Sequence, residues 1–131
     1  MKLFLRPVCR SDYKFLYKLL QQRVEKDCIS HKEMPSYKEH LKFCENNPYK
    51  EWYVVFEDKR PIGKLYLTKL NEIGIQVLGC KNKEIIKYLL KEFLPQIQYA
   101  NISPKNKEMQ KIFKDFGFKL IQYTYRYEGL S

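Results

Sequence analysis

The stretch Asn101-Ile-Ser-Pro-Lys-Asn106, then Met109, Ile112 and Phe113, then Phe116-Gly117-Phe118-Lys119, decides how this chain folds. Strand-like residues give out at a Ser-Pro turn, and apolar residues then recur at the i, i+3, i+4 spacing of a helix across residues 106–116. Gly117 stops that helix so that a new strand can begin at Phe118. Backbone N–H groups are free to meet an anion where a strand ends beside the first turn of a helix, and open α/β sheets bind ligands there.

Working outward from this unit, residues 98–103 read as the strand that feeds it, and Pro95 ends the helix before that. That helix carries Ile85, Ile86, Leu89, Leu90 and Phe93 on one side and Lys83, Lys87 and Lys91 on another. Upstream, the β-rich runs 52–56, 62–70 and 72–78 are joined by turns at 57–61 and at Asn71, which predicts an antiparallel meander. Residues 3–8 form a first strand, and Ser11 is placed to cap a helix bearing Phe15, Leu16, Leu19 and Leu20. A turn-prone segment, 27–36, leads to a short second helix with Tyr37, Leu41 and Cys44 at i, i+4, i+7, ending near Asn46-Asn47-Pro48. Beyond Gly117, residues 118–127 supply one long or two short closing strands. The predicted order is β-α-α-β-β-β-α-β-α-β: a mixed, mostly antiparallel central sheet flanked by four helices, in one domain over residues 1–131.

A chain of 131 residues, 44% hydrophobic and 15% aromatic, buries one core and not two. No apolar run approaches the ~18 residues of a membrane span, so the expected setting is soluble and cytoplasmic. The four cysteines at positions 9, 28, 44 and 80 show no close pairing, and free thiols in a reducing compartment are expected. Cys28, His31, His40 and Cys44 have the donor types of a zinc site, but Cys44 falls on an apolar helical stripe and reads as a buried thiol, so no metal is expected. The net charge of +10 attracts polyanions, nucleic acid and nucleotide cofactors alike, but no nucleic-acid motif of recognised spacing accompanies it.

The order strand, Ser-Pro-x-Asn, helix, Gly-Phe, strand resembles the C-terminal signature of the GNAT acyltransferase superfamily, and the element order resembles the GNAT fold over almost the full chain. The resemblance implies transfer of an acyl group, acetyl above all, from acyl-coenzyme A to a primary amine on a small molecule or peptide. It also implies that backbone groups of Ile75, Gln76, Val77 and Leu78 bind the pantetheine arm and thioester. Lys81, Asn82 and Lys83 fall in the pyrophosphate loop, and Asn106 matches the cofactor-contacting asparagine at a helix start. An amine must lose a proton before it attacks, and Glu72 stands where several members of the family carry a glutamate for that task. His31, Trp52, Tyr66 and Tyr123 are the candidates for the acceptor pocket, by resemblance built from residues 27–49 and the closing strands.

Two features depart from the family pattern. The loop's two glycine positions fall on Asn82 and Glu84, and a carboxylate there repels phosphate while suiting a first helical turn. The family's tyrosine general acid is replaced by Phe113, with Tyr88, Tyr123 or Tyr125 as substitutes. These departures carry the alternative reading, a catalytically degenerate GNAT-like binding or scaffolding domain. A basic protein that binds nucleic acid is the third reading, and whether two copies pair as a homodimer is left open.

Overall fold

The computed structural model of the chain describes residues 2–26 and 33–130, the side chains of residues 24–26 excepted. A five-stranded sheet runs in the order β1-β2-β3-β4-β5. Its strands are β1 (Leu3–Pro7), β2 (Glu51–Glu57), β3 (Arg60–Leu67), β4 (Glu72–Val77) and β5 (Tyr99–Ala100). The first four are antiparallel neighbours, while β5 lies parallel to β4. Tight connections make the meander possible, with Asp58 at φ 55° and Asn71 at φ 62° taking the left-handed conformation that short polar residues tolerate.

Period-two alternation divides the core between the two sheet faces. Val55, Leu65, Leu67, Ile73 and Val77 pack against Ile85, Ile86, Leu89 and Leu90 of α3 (Asn82–Phe93) and Ile112 and Phe113 of α4 (Lys107–Asp115). On the other face Trp52 packs against Leu16 and Leu19 of α1 (Tyr13–Lys26) and Cys44 of α2 (Tyr37–Asn46), with Tyr49 and Tyr66 at the margin. No helix among the described residues is long and apolar enough to cross a membrane.

The helix ends follow from local chemistry. Ser36 and Glu39 form a reciprocal capping box at the start of α2: Ser36 Oγ accepts from the Glu39 N–H at 3.1 Å, and Glu39 Oε1 accepts from the Ser36 N–H at 2.9 Å. The Ser11 cap expected for the first helix is not formed; a 3-10 turn, Arg10–Asp12, precedes α1. Asp12 accepts there from the Cys9 N–H at 2.8 Å and from Arg6 Nη2 at 2.6 Å. A carboxylate offers more acceptor sites than a hydroxyl and prevails. At the end of α4 the Phe118 N–H reaches the Phe113 carbonyl at 3.0 Å and the Gly117 N–H reaches Lys114 at 3.0 Å. Gly117 has φ 95°, and the Phe113 and Phe118 rings meet edge-on at 4.9 Å. This is a Schellman stop with its hydrophobic contact, which is why the Phe-Gly-Phe phrase reads so clearly in sequence.

His40 ties α2 to α1, its Nε2 donating to the Tyr13 carbonyl at 2.9 Å, with Cys44 Sγ 3.4 Å from the same nitrogen. Burial lowers the His40 pKa and pushes the Cys44 thiol up to about 11, so both sit neutral in this inter-helix core. Cys28 and His31 lie outside the described residues, and among the described ones no three potential metal ligands gather.

Two strand expectations are corrected. The fifth strand, read as 98–103, forms ladder bonds only over Tyr99–Ala100, because it parts from β4 after two residue pairs. Residues 118–127, read as closing strands, take no place in the sheet. Their composition suits a strand, but strand structure needs a partner, and the described part of this chain does not supply one.

Candidate functional site

The parting of β4 from β5 creates the site. Glu72 pairs with Tyr99 and Ile73 with Ala100, and beyond that point β4 keeps only β3 as a neighbour. The Leu78 N–H reaches the Ile62 carbonyl at 2.8 Å and the Thr68 N–H the Glu72 carbonyl at 2.9 Å, which fixes the phase of the β3–β4 ladder. Residues 72, 74, 76 and 78 therefore turn their backbone groups to β3, and residues 73, 75 and 77 turn theirs to the β5 side. Of the four residues expected to offer backbone to a cofactor, Ile75 and Val77 have theirs turned to the β5 side, beyond the two residue pairs of the β4–β5 ladder. Gln76 and Leu78 are committed to β3, and the Gln76 side chain instead donates to the Leu19 carbonyl of α1 at 2.8 Å.

A cavity of about 280 Å³ opens at the head of this slot. Gly74 and Ile75 of β4, Ala100 of β5 with Asn101 and Ile102 after it, Phe113 of α4, and Tyr49 and Tyr66 wall it, with Glu72 and Arg23 as its charged groups. The Glu72 carboxylate holds only long contacts, Thr68 Oγ1 at 3.4 Å and Asn101 Nδ2 at 3.4 Å, so its lone pairs remain available. Tyr49 and Tyr66 stack with ring centroids 4.0 Å apart. Burial, together with the neighbouring Tyr66, raises the Tyr49 phenol pKa, so that it keeps its proton. Tyr66 can lie over the sheet only because position 74 is glycine: a Cβ there would stand 1.9 Å from the Tyr66 ring.

Below the slot, α3 begins at Asn82 with Lys81 at the N-cap and no side-chain cap hydrogen bond, while the Asn82 N–H itself bonds to the Gly79 carbonyl at 3.3 Å. Lys83 is drawn away into an ion pair with Glu108 of α4 at 2.9 Å. Asn106 caps α4, its Oδ1 accepting from the Met109 N–H at 3.1 Å, which leaves Nδ2 as its group for a ligand.

The sequence candidates thus divide. Glu72, Tyr66 and Ile75 line one cavity, whereas Trp52 is buried beneath it, edge-on to Tyr49 at 4.9 Å. Tyr123 lies on the exposed segment after α4, away from the cavity, and His31 is outside the described residues. Arg23 and Gly74 are wall residues that sequence reasoning missed, while Tyr49 ends the 27–49 segment expected to shape the pocket but was not singled out. A glycine inside a strand pattern is a signal of close approach that could have pointed to Gly74 but was not used; nothing comparable marks Arg23.

Solved structures share this architecture along their length. A domain from Methanocaldococcus jannaschii superposes with TM-score 0.70 at 22% identity, over 94% of this chain and 92% of that one. AAC(6')-Iy, solved with the bisubstrate analogue CoA-S-monomethyl-acetylneamine, superposes with TM-score 0.68 at 15% identity, over all of both chains. The fold is that of the GNAT acyltransferases. The GNAT spermidine/spermine N-acetyltransferase SpeG from Vibrio cholerae also matches, with TM-score 0.67 and 20% identity, over 89% of this chain and 79% of that one. No family model and no curated protein sequence matches the chain. The GNAT likeness is therefore one of fold, carried by backbone geometry at 12–22% identity.

Proposed function

We propose that the protein is an acyl-coenzyme A-dependent N-acyltransferase whose chemistry takes place at the head of the β4–β5 slot. The observation that carries this reading is the pairing of unpartnered Ile75 and Val77 backbone groups with a Glu72 carboxylate lining the same opening. Acyl-coenzyme A would supply an activated thioester. A thioester arm laid along β4 would find amide hydrogen-bonding groups at a two-residue repeat, and the uncapped start of α3 with Lys81 would face its phosphates. At the slot's head Glu72 takes a proton from the acceptor ammonium, directly or through one water, because only the neutral amine is nucleophilic. A backbone N–H at Ile75 is positioned to meet developing negative charge on the acyl oxygen. With Phe113 in place of a hydroxyl, the sulfur departs as a thiolate, tolerable for a group of pKa about 8.5.

The acceptor is a primary amine that the Tyr49–Tyr66 stack holds by its apolar part. Arg23 on the same wall favours acceptors that also carry an anionic group, such as an amino acid or a peptide end. The free thiols of Cys9, Cys44 and Cys80 suit a reducing compartment such as the cytoplasm. Three observations favour a second reading, a binding or scaffolding domain: Glu84 in the first turn of α3, Lys83 held by Glu108, and Phe113 without a hydroxyl.

Thiol release from acetyl-coenzyme A in the presence of an amine panel tests the reading. Glu72→Gln is expected to lower the rate at neutral pH by roughly 10²-fold while leaving coenzyme A affinity within a factor of about two. An unchanged rate removes Glu72 as the base. Absence of thiol release with every amine, although coenzyme A binds, supports the scaffolding reading.

A further inference from the structure

The outer side of α1 carries positive charge with nothing beside it to balance it. Between Asp12 and Glu25 the sequence holds Lys14, Lys18 and Arg23 and no acidic residue. With Leu16 and Leu19 fixed in the core, Ser11, Lys14, Lys18 and Gln21 recur at helical spacing on the solvent side. Both lysines are exposed, and neither has an ion pair among the described residues. On the opposite sheet face the lysines are balanced: Lys83 pairs with Glu108 and Lys111 with Asp115. The α1 stripe forms one wall of an open groove of about 730 Å³. Its other walls are aromatic, Phe15 and Tyr17 of α1 and Tyr37 at the start of α2. No carboxylate lines this groove among the described residues, and it shares no lining residue with the cavity at the β4–β5 slot. The Tyr17 hydroxyl donates to the Pro35 carbonyl at 2.9 Å, and the Tyr17 ring meets Tyr37 edge-on at 5.1 Å. Tyr37, steadied in this way, is 41% exposed.

We propose that this groove binds a short run of single-stranded nucleic acid, with Lys14 and Lys18 meeting phosphates and Tyr37 stacking on a base. Sites that take single strands without regard to sequence combine these features: a groove, positive charge along it, and an aromatic face that any base can stack on. Lysine is a point charge suited to phosphate, and the stretch from Ser11 to Gln21 spans about 15 Å of helix, a length that a few nucleotides cover. The net charge of +10 draws a polyanion in, and counterions released from its backbone add to the affinity. A protein partner fits less well, because the cores of protein interfaces are depleted in lysine. A bilayer fits less well too, because a helix lying in a membrane turns an apolar face outward, whereas the outward stripe here is polar and the rings line a hollow. Binding here requires no acyl transfer at the β4–β5 slot.

Fluorescence anisotropy of the full chain with a labelled single-stranded RNA about 12 nucleotides long, across roughly 50–200 mM salt, reads the interaction. Saturable binding that weakens as salt rises is expected. Lys14→Gln with Lys18→Gln is expected to weaken it roughly 10-fold and to reduce the slope of log K against log salt by about 1.4, two phosphate contacts at ~0.7 each. Tyr37→Ala is expected to weaken it roughly 10-fold with the slope unchanged, since stacking releases no counterion. Lys87→Gln with Lys114→Gln removes equal charge from the α3–α4 side and is expected to change affinity less than about 2-fold. All five positions are exposed, so each variant is expected to keep the far-ultraviolet spectrum of the parent. A full chain that binds no RNA overturns the proposal, whether or not it binds a poly-glutamate peptide or phosphatidylserine vesicles instead. Equal losses from the two lysine pairs overturn it, because net charge alone would then account for binding. A Tyr37→Ala variant that binds as well as the parent removes the stacking, and with it the assignment to a single strand.

Discussion

Position 74 shows how much one hydrogen atom decides. Glycine there lets the Tyr66 ring settle over β4, where it stacks on Tyr49 at 4.0 Å and forms a wall of the cavity containing Glu72. Gly74→Ala would force the ring aside, because its Cβ would stand 1.9 Å from Tyr66 Cζ and 2.4 Å from the hydroxyl oxygen. The expected outcome is a loss of about 1–3 kcal/mol of stability, read from chemical denaturation, and a higher acceptor KM with coenzyme A affinity unchanged. Equal stability and KM would mean that the tyrosine stack is not part of the acceptor wall. At this scale Glu72 and Tyr66 were legible, since a carboxylate opening a strand and an aromatic in the strand before it are local signals. Arg23 was not, because it reaches the cavity from α1 through packing that no local spacing encodes, and Tyr49 was covered only as the end of the 27–49 segment.

Among the elements, helices and hairpins were legible because caps, turns and hydrophobic period act over a few residues. The divergence of β4 from β5 was not, since Gln98-Tyr99-Ala100 reads the same whether two residues pair or five do. The resemblance put a continuous run of four residues on the cofactor; the ladder phase leaves only alternate ones, Ile75 and Val77, with backbone groups turned to the β5 side. The start of α3 allows the sharpest test at this scale. Glu84 in its first turn places a carboxylate where phosphate would approach, and Asn82 bears a side chain where the family pattern has glycine. Asn82→Gly with Glu84→Gly is expected to tighten coenzyme A binding about 5-fold in a calorimetric titration, as one opposing charge is worth ~1 kcal/mol near water. Stability should fall by up to ~1 kcal/mol per glycine. Unchanged or weaker binding would mean that Glu84 does not face the pyrophosphate.

For the whole molecule, element order and the Ser-Pro-x-Asn to Gly-Phe unit carried the fold, and structural neighbours share it although no family model matches. The closing strand at 118–127 is where the reading stopped short: its residues alternate as a strand's should, but pairing is a property of two surfaces. The central claim, a coenzyme A slot between β4 and β5, is tested most directly by thermal unfolding of the full chain with and without acetyl-coenzyme A. A ligand at 100-fold over its dissociation constant adds about 2.7 kcal/mol, which for a domain of this size raises the melting temperature by roughly 10 °C. A rise of that order, saturating with cofactor concentration, is the predicted result. An unmoved transition at millimolar acetyl-coenzyme A would contradict it.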